Sequence, residues 1–392
     1  MAGVAKEIFG IISMGDGSIL VAAARGGEVL SFAAERFAGP CAGQESLDRA
    51  LSRVEKETGS TLSRAVFVVN WKFRLGFASS KIALGAGSPV SKGDMEKACK
   101  RLPASFRGVD SHRILHVVPI GYKVDGGEVS HDPRGRTGRV LAAACHVISA
   151  PASKVEEVED LAAACRLSVI AIVSAPYACG LAVMKPGQSV LVIDIGELSF
   201  ASALFYRGSV MSLCRADSGA GEITAEISAT LGVPEPEAAR LANIYGAATP
   251  EKTDFAALVD IASWDGRGGV GDKTVVRAEI MDAVRAAAFS WCYKAREFLT
   301  ENAFACVDSV VLCGSGAMLE GLADVAHAVF GLPCCVAGAE LKGASNPRFT
   351  EIRGAIAYMR DKAPAKPGGM FGMSGGSGGG PDGMFGGFDD KF

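Results

Sequence analysis

The residues of this chain that could do chemistry are concentrated in three glycine turns. The first, Ser13-Met14-Gly15-Asp16-Gly17-Ser18, joins two apolar runs. The second lies in V-L-V-I-D-I-G-E-L-S-F, residues 190–200, and the third in V-V-L-C-G-S-G-A-M-L-E-G-L, residues 310–322. A glycine at a strand end carries no Cβ, so backbone N–H groups there can approach a phosphate. An aspartate in the same place can hold the water shell of a divalent metal. Glycines after Cys313 leave room for a flat base or ribose. The candidate nucleotide-binding residues are therefore Gly15, Asp194, Gly196, Gly314, Ser315 and Gly316, with Asp194 the candidate partner of Mg2+ through water. The plain alternative for Asp194 is a capped strand end with no ligand. No residue stands out as catalytic.

These turns need strands to carry them. Residues 7–13 and 18–24 form a β-hairpin through a turn of Asp-Gly type, and 28–34 a third strand. Leu47, Leu51 and Val54 recur at helical spacing within 44–58. Residues 64–70 read as a buried strand, and 91–102 as a helix capped by Ser91 with Asp94 three residues on. Strands follow at 112–119 and 140–149, then an acidic amphipathic helix at 153–165. The second section has strands at 189–195, 199–206 and 208–216 and helices at 222–231 and 235–244. One long helix is expected over 274–302, a strand over 306–313, a helix over 317–329, a short strand over 334–337 and a last helix over 349–360. The uncharged run 167–184 reaches the roughly 18-residue lower limit of a membrane span. However, 167–173 is rich in β-branched residues and Pro176 and Gly180 interrupt the rest, so it reads as a buried strand and a short helix.

Composition excludes several classes. A length of 392 residues implies two or three domains. With 40 basic against 43 acidic residues there is no electrostatic footprint for nucleic acid. The 11 cysteines form no C-x-x-C pair, and adjacent Cys334 and Cys335 suit neither an ordinary disulfide nor structural zinc. Reduced thiols of a cytoplasmic protein are expected, and the first residues lack the apolar length of a secretory signal. His112, His116, His131 and His146 fit no metal-ligand spacing and read as structural. Trp264, Trp291 and Tyr293 read as core. Arg134, Arg136 and Arg139 form a basic loop, either solvated or a contact to another subunit. Residues 368–392 hold eleven glycines and cannot bury enough apolar area to offset backbone entropy, so disorder is expected there. Within them Met370-Phe371-Gly372 and Met384-Phe385-Gly386 repeat, followed by Phe388 and Phe392. These are either an inert tail or apolar contacts for a partner or a membrane surface.

The order of the three turns resembles the actin-like ATPase superfamily, and within it the bacterial FtsA family. H-R-I-L-H-V-V-P-I-G-Y-K-V-D-G, residues 112–126, and H-D-P-R-G-R-T-G-R-V, residues 131–140, are similar to segments of that family's extra subdomain 1C. G-A-G-E-I-T-A-E-I, residues 219–227, and E-A-A-R-L-A-N-I-Y-G-A-A, residues 237–248, are similar to two further motifs of the family, the second on its adenosine-contacting helix. The resemblance spans roughly residues 6–362 and implies an α/β, actin-like two-lobed fold with an inserted FtsA-type subdomain 1C. Subdomain 1A would comprise 1–80, 151–187 and 338–362, subdomain 1C 81–150, subdomain 2A 188–217 and 305–337, the helical subdomain 2B 218–304, and the tail 363–392.

Departures from the family pattern fall on the phosphate turns. The strand-end aspartate of the first turn is here Ser13, and its basic residue is Ser18. In the second, Glu197 and Leu198 replace glycines, Ser199 a threonine and Ala201 an aspartate, while Ala239 and Ala242 replace a glutamate and a lysine of the adenosine-contacting helix. ATP with Mg2+ is therefore expected to bind weakly, with at most a slow ATPase. The resemblance implies a division scaffold that polymerises, binds the C-terminal peptide of the tubulin-like protein FtsZ through subdomain 2B, and recruits later division proteins through 1C. It implies a cytoplasmic protein peripheral to the inner face of the membrane at the division site. The tail has one lysine, Lys391, against Asp382, Asp389 and Asp390, so direct membrane contact would be weak or made through a partner. The rival implications are a PilM-type pilus-assembly protein, an MreB-like filament, a sugar-kinase-type enzyme, or an actin-like pseudo-ATPase scaffold without nucleotide.

Overall fold

The computed structural model describes residues 7–15, 17–36, 42–85, 87–101, 111–185, 187–249, 255–261, 273–338, 340–341 and 344–362. Asp16, Trp264 and the tail residues Met370, Phe371, Met384, Phe385, Phe388 and Phe392 lie outside them.

Two five-stranded sheets share one design. In the first, β1 (Phe9–Gly15), β2 (Ser18–Arg25) and β3 (Glu28–Arg36) form an antiparallel meander, and β4 (Arg64–Val69) and β8 (Ser168–Ser174) extend it in parallel beyond β1. In the second, β9 (Val190–Ile195), β10 (Phe200–Tyr206) and β11 (Ser209–Ala216) form the meander, and β14 (Ser309–Cys313) and β15 (Cys334–Val336) the parallel extension. The orders β3-β2-β1-β4-β8 and β11-β10-β9-β14-β15 are thus the same topology used twice.

The sequence explains why the central strands are continuous apolar runs: each is covered on both faces. Leu191, Ile193 and Ile195 of β9 face a core built around the fully buried Trp291, while Val190 and Val192 face a second core with Phe205 and Val311. Likewise Ile12 of β1 packs toward α1 (Ala42–Thr58) and α3 (Ala152–Ala164), and Ile11 toward the other face. The uncharged run after Arg166 is β8 followed by α4 (Ala175–Val183), as its β-branched half and its Pro176 require. No helix among the described residues is long and apolar enough to cross a membrane.

Two helices tie the lobes together. α4 leads from the first sheet to the second, and α10 (Thr350–Lys362) crosses it. Gly354 of α10 sits so close that a Cβ there would lie 1.8 Å from the Ala178 carbonyl oxygen. Gly180 similarly admits the Phe205 ring, which a Cβ would meet at 2.0 Å.

A third sheet pairs with neither of the others among the described residues. It has the antiparallel order β5-β7-β6, from β5 (Arg74–Ala83), β6 (His112–Val124) and β7 (Val140–Pro151). α2 (Lys92–Lys100) covers one face over Ile82, Tyr122, Leu141, Ala143 and Cys145, and its Ser91–Asp94 capping box is formed. β5 was not legible in the sequence, because F-A-S-S-K-I mixes small and polar residues without strict alternation. All of β5 pairs with β7, so a boundary at residue 81 cuts a paired strand. The sheet's Val118 and Ile148 pack beneath the second lobe, where the Ser209 hydroxyl donates to the Pro119 carbonyl (2.7 Å). Two of its histidines hold backbone: His116 Nε2 accepts from the Ser174 N–H (3.2 Å), and His146 Nδ1 meets the Val210 carbonyl, while His112 Nδ1 meets the Ser111 hydroxyl (3.1 Å). In the basic loop Arg134 is ion-paired with Asp132.

The helical part of the second lobe departs from expectation in three places. The stretch 274–302 is not one helix. Thr274–Val276 forms β13 against β12 (Leu258–Asp260), as a β-branched run prefers, and α7 runs Arg277–Glu297 before a short α8 (Glu301–Phe304) capped by Thr300. The stretch 317–329 is broken at Gly321, which takes φ 78° and separates a 3-10 turn, Gly316–Met318, from α9 (Leu322–Phe330). Tyr293, read as core, is 55% exposed and stacks on Phe289, whereas Trp291 two residues earlier is fully buried with α5 (Gly221–Leu231) and α6 (Glu235–Tyr245) around it.

Candidate functional site

The ends of β1, β9 and β14 converge between the lobes on a cavity of ≈ 570 Å³. Its walls include Gly15 from the first turn, Asp194 and Gly196 from the second, and Gly314 and Ser315 from the third. Gly316 does not line it. That residue is buried behind the wall, where a Cβ would strike the Ile195 side chain at 2.3 Å. Gly314 takes φ 82°, and a Cβ on it would meet the Ile195 carbonyl oxygen at 2.4 Å and Asp194 Oδ1 at 2.5 Å, so the third turn is pressed directly onto the end of β9.

Four wall residues carry no motif that sequence reasoning could use: Arg36, Asn70, Arg348 and Glu351. Asn70 follows the apolar run of β4 and its amide donates across the cleft to the Ser199 hydroxyl (3.4 Å). Arg348 Nη2 donates to the Ser18 hydroxyl (3.4 Å), pinning the first turn to the start of α10. Glu351 accepts a hydrogen bond from Ser13, 338 residues away in the chain. Ser13-Met14-Gly15 at the end of β1 and Asp194-Ile195-Gly196 at and just past the end of β9 occupy matching places in the repeated topology. The first lobe thus has a hydroxyl where the second has a carboxylate, and a carboxylate arrives at that hydroxyl from α10. Burial, reinforced by the charge of Asp194, pushes the Glu351 carboxyl up to about 8.

The second turn is folded onto the N-terminus of α5. The Ala220 N–H donates to the Gly196 carbonyl (2.9 Å) and the Gly221 N–H to the Glu197 carbonyl (2.8 Å). Gly219 makes this contact possible, since a Cβ there would lie 2.6 Å from the Glu197 carbonyl oxygen. Within the turn the Gly196 N–H is taken by the Ser199 carbonyl (2.8 Å), and in the third turn the Gly314 N–H by the Pro347 carbonyl (3.2 Å). Beside it the Lys294 ammonium donates to Ser218 (2.9 Å), and the Trp291 indole to Glu222 (3.2 Å).

This arrangement decides how a nucleotide with Mg2+ would fit. The volume suits a ligand of that size, and Gly314-Ser315 leave one side open. The phosphate side fits poorly. The Gly196 and Gly314 N–H groups, which would face an anion, are taken within the protein, Glu197 brings a carboxylate and Glu351 a buried carboxyl to the wall, and Leu198 stands 63% exposed in the second turn. Arg36 and Arg348 are the compensating cations there.

A repeated five-stranded sheet in each of two lobes, joined by crossing helices with a cleft between the strand ends, defines a protein of the actin-like class. Solved structures of that shape agree. A PilM–PilN type IV pilus biogenesis complex superimposes with a TM-score of 0.60 at 14% identity, covering 90% of this chain and 98% of that one. MreB5 of Spiroplasma citri bound to ADP gives 0.54 at 12%, covering 90% and 97%. At such identities these likenesses establish the fold alone. The family model described as "Cell division protein FtsA" matches residues 191–354, and the one described as "SHS2 domain inserted in FTSA" matches 77–149, the third sheet with α2. The cell division protein FtsA of Rhizobium meliloti (strain 1021) is 25% identical over 343 residues, covering 83% of this chain and 77% of its own length. The chain belongs to the FtsA family of cell-division proteins.

Proposed function

We propose that this chain acts in division as a scaffold that assembles head to tail into actin-like filaments and links FtsZ polymers to the inner face of the cytoplasmic membrane. The observation that supports this best is the separate β5-β7-β6 sheet with α2, added to an otherwise actin-like body. A heterologous contact repeated without closure produces a filament. In this reading the FtsZ C-terminal peptide binds the helical region 218–304 and later division proteins bind the inserted sheet. The membrane is reached weakly through Met370, Phe371, Met384, Phe385, Phe388 and Phe392, or through a partner. Nucleotide binds weakly between Asp194 and Gly314 and stiffens the two lobes against each other, with turnover slow at most. The PilM-type alternative shares the fold, and the segment 112–140 argues against it.

An immobilised FtsZ C-terminal peptide is expected to retain the full-length protein, and retention should fail for a scrambled peptide. Equal retention by both, or by neither, would remove the FtsZ link and leave the PilM-type reading standing. For the cleft, Glu197→Gly is expected to tighten ATP binding in the presence of Mg2+ by roughly tenfold, about 1.4 kcal/mol, by removing a carboxylate from the phosphate side. Titration calorimetry reads this directly, and an unchanged affinity would show that Glu197 does not limit binding.

A further inference from the structure

The inserted sheet holds a pair of thiols that the proposed function does not use. Cys145 lies on the central strand β7, cross-strand from Ala78 and Pro119, with its side chain 2% exposed beneath α2. Cys99 lies in the last turn of α2, half-buried, with its sulfur 3.3 Å from the Tyr122 hydroxyl and within hydrogen-bonding reach of the Cys145 thiol. Three groups with labile hydrogens therefore meet at the edge of one small core, one of them open to solvent. Other cysteine neighbours lack this combination. Cys179 and Cys313 are both buried between the lobes, and the Cys214 thiol is hydrogen-bonded to Ser202 at the edge of the second lobe's core. Among the described residues Cys99 is the one thiol whose pKa is shifted downward, to about 7, because Cys145 and Tyr122 can both donate to its sulfur. The hydrogen bond to Cys99, with burial, raises the Cys145 thiol, the hydrogen bond to Cys313, with burial, raises Cys179, and burial raises Cys165, Cys292 and Cys334. An accessible thiolate beside a resolving thiol is the arrangement that hydrogen peroxide oxidises selectively.

We propose that Cys99 and Cys145 are a peroxide-sensitive pair, Cys99 attacking the peroxide and Cys145 resolving the product to a disulfide that staples α2 to β7. The Cys99 sulfur attacks one peroxide oxygen and the O–O bond breaks. Cys99 becomes a sulfenic acid, and the departing hydroxide leaves as water with the thiol proton. The Cys145 sulfur then attacks the Cys99 sulfur, the S–O bond breaks, and the hydroxyl leaves as a second water with the Cys145 proton. Two thiols lose two electrons in all, and one hydrogen peroxide is reduced to two waters. The movement needed falls on α2, which buries only Ala98, rather than on the central strand. Any effect on partners of this sheet rests on the proposed function; the cross-link does not.

The test uses the full-length protein with hydrogen peroxide, free-thiol titration and non-reducing peptide mapping. Two of the 11 thiols should disappear together and map to a Cys99–Cys145 cross-link. In Cys99→Ser the Cys145 thiol should survive the peroxide. Cys145→Ser should instead accumulate a sulfenic acid at Cys99, trapped by a cyclic 1,3-dione. On the unmodified protein iodoacetamide should label Cys99 faster than Cys145, a readout independent of how either variant folds. A cross-link elsewhere, thiol loss in Cys99→Ser at the wild-type rate, or faster alkylation of Cys145 would each overturn the proposal.

Discussion

Gly354→Ala is expected to destabilise the protein by about 3 kcal/mol or more, the largest effect of any single methyl group considered. The added Cβ would lie 1.8 Å from the Ala178 oxygen, 2.2 Å from its carbonyl carbon and 2.8 Å from its Cα. All three atoms are backbone of α4 and cannot rotate away, so the two helices must separate by more than an ångström. That movement would also lift Ile352, Ala355 and Ile356 off Ile11, Val66 and Val68 of the first sheet. Alanine's higher helix propensity returns only about 1 kcal/mol. Gly93→Ala in the exposed first turn of α2, whose Cβ would meet only the Ser91 hydroxyl at 3.6 Å, is the control and should be unchanged or slightly more stable, by up to about 1 kcal/mol. Urea unfolding of both variants checks this. Equal midpoints for Gly354→Ala and wild type would mean that the crossing of α4 and α10 is loose, and with it the joint between the lobes.

Glu351→Gln is expected to change the pH dependence of stability rather than its value at low pH. Burial, with the Asp194 charge added, raises the Glu351 carboxyl from the ordinary 4.5 to about 8, although Ser13 and Arg348 pull the other way. Between those values the folded protein keeps a proton that the unfolded chain has lost, so this group makes stability fall as pH rises through the window. Below about 4.5 both states are protonated and the cost vanishes; above about 8 the carboxylate is charged in the wall and the cost is complete. Glutamine stays neutral and still accepts from Ser13. The variant should therefore match wild type near about pH 5 and exceed it by on the order of a few kcal/mol near about pH 9. Denaturation midpoints at the two pH values give the difference of differences. A gap that does not widen with pH would show that Glu351 ionises normally in the cleft.

The sequence by itself determined the strands of the two five-stranded sheets, the three turns and their order. A strand covered on both faces must be apolar throughout, as in V-L-V-I of β9, and a chain that leaves a strand sharply needs glycine, as at Gly314. Those requirements are local, so they are written in adjacent residues, and the same holds for the Ser91–Asp94 cap on α2. Local patterns misled where tertiary contacts outvoted them: Thr274–Val276 pairs as a strand because β12 lies alongside, and Tyr293 faces water on a helix whose other face holds Trp291. Only the tertiary structure decided the chemistry of the cleft. Ser13 meets Glu351 across 338 residues, Arg348 meets Ser18, and the Ala220 and Gly221 N–H groups at the start of α5 donate to the carbonyls of the second turn. Cys99 and Cys145 meet only because α2 folds back over β7. The reason is physical. Burial along one strand or helix imprints a period on neighbouring residues, whereas the charge, acidity and donor supply at a point between lobes depend on groups from distant segments, none of which carries a mark of its neighbour.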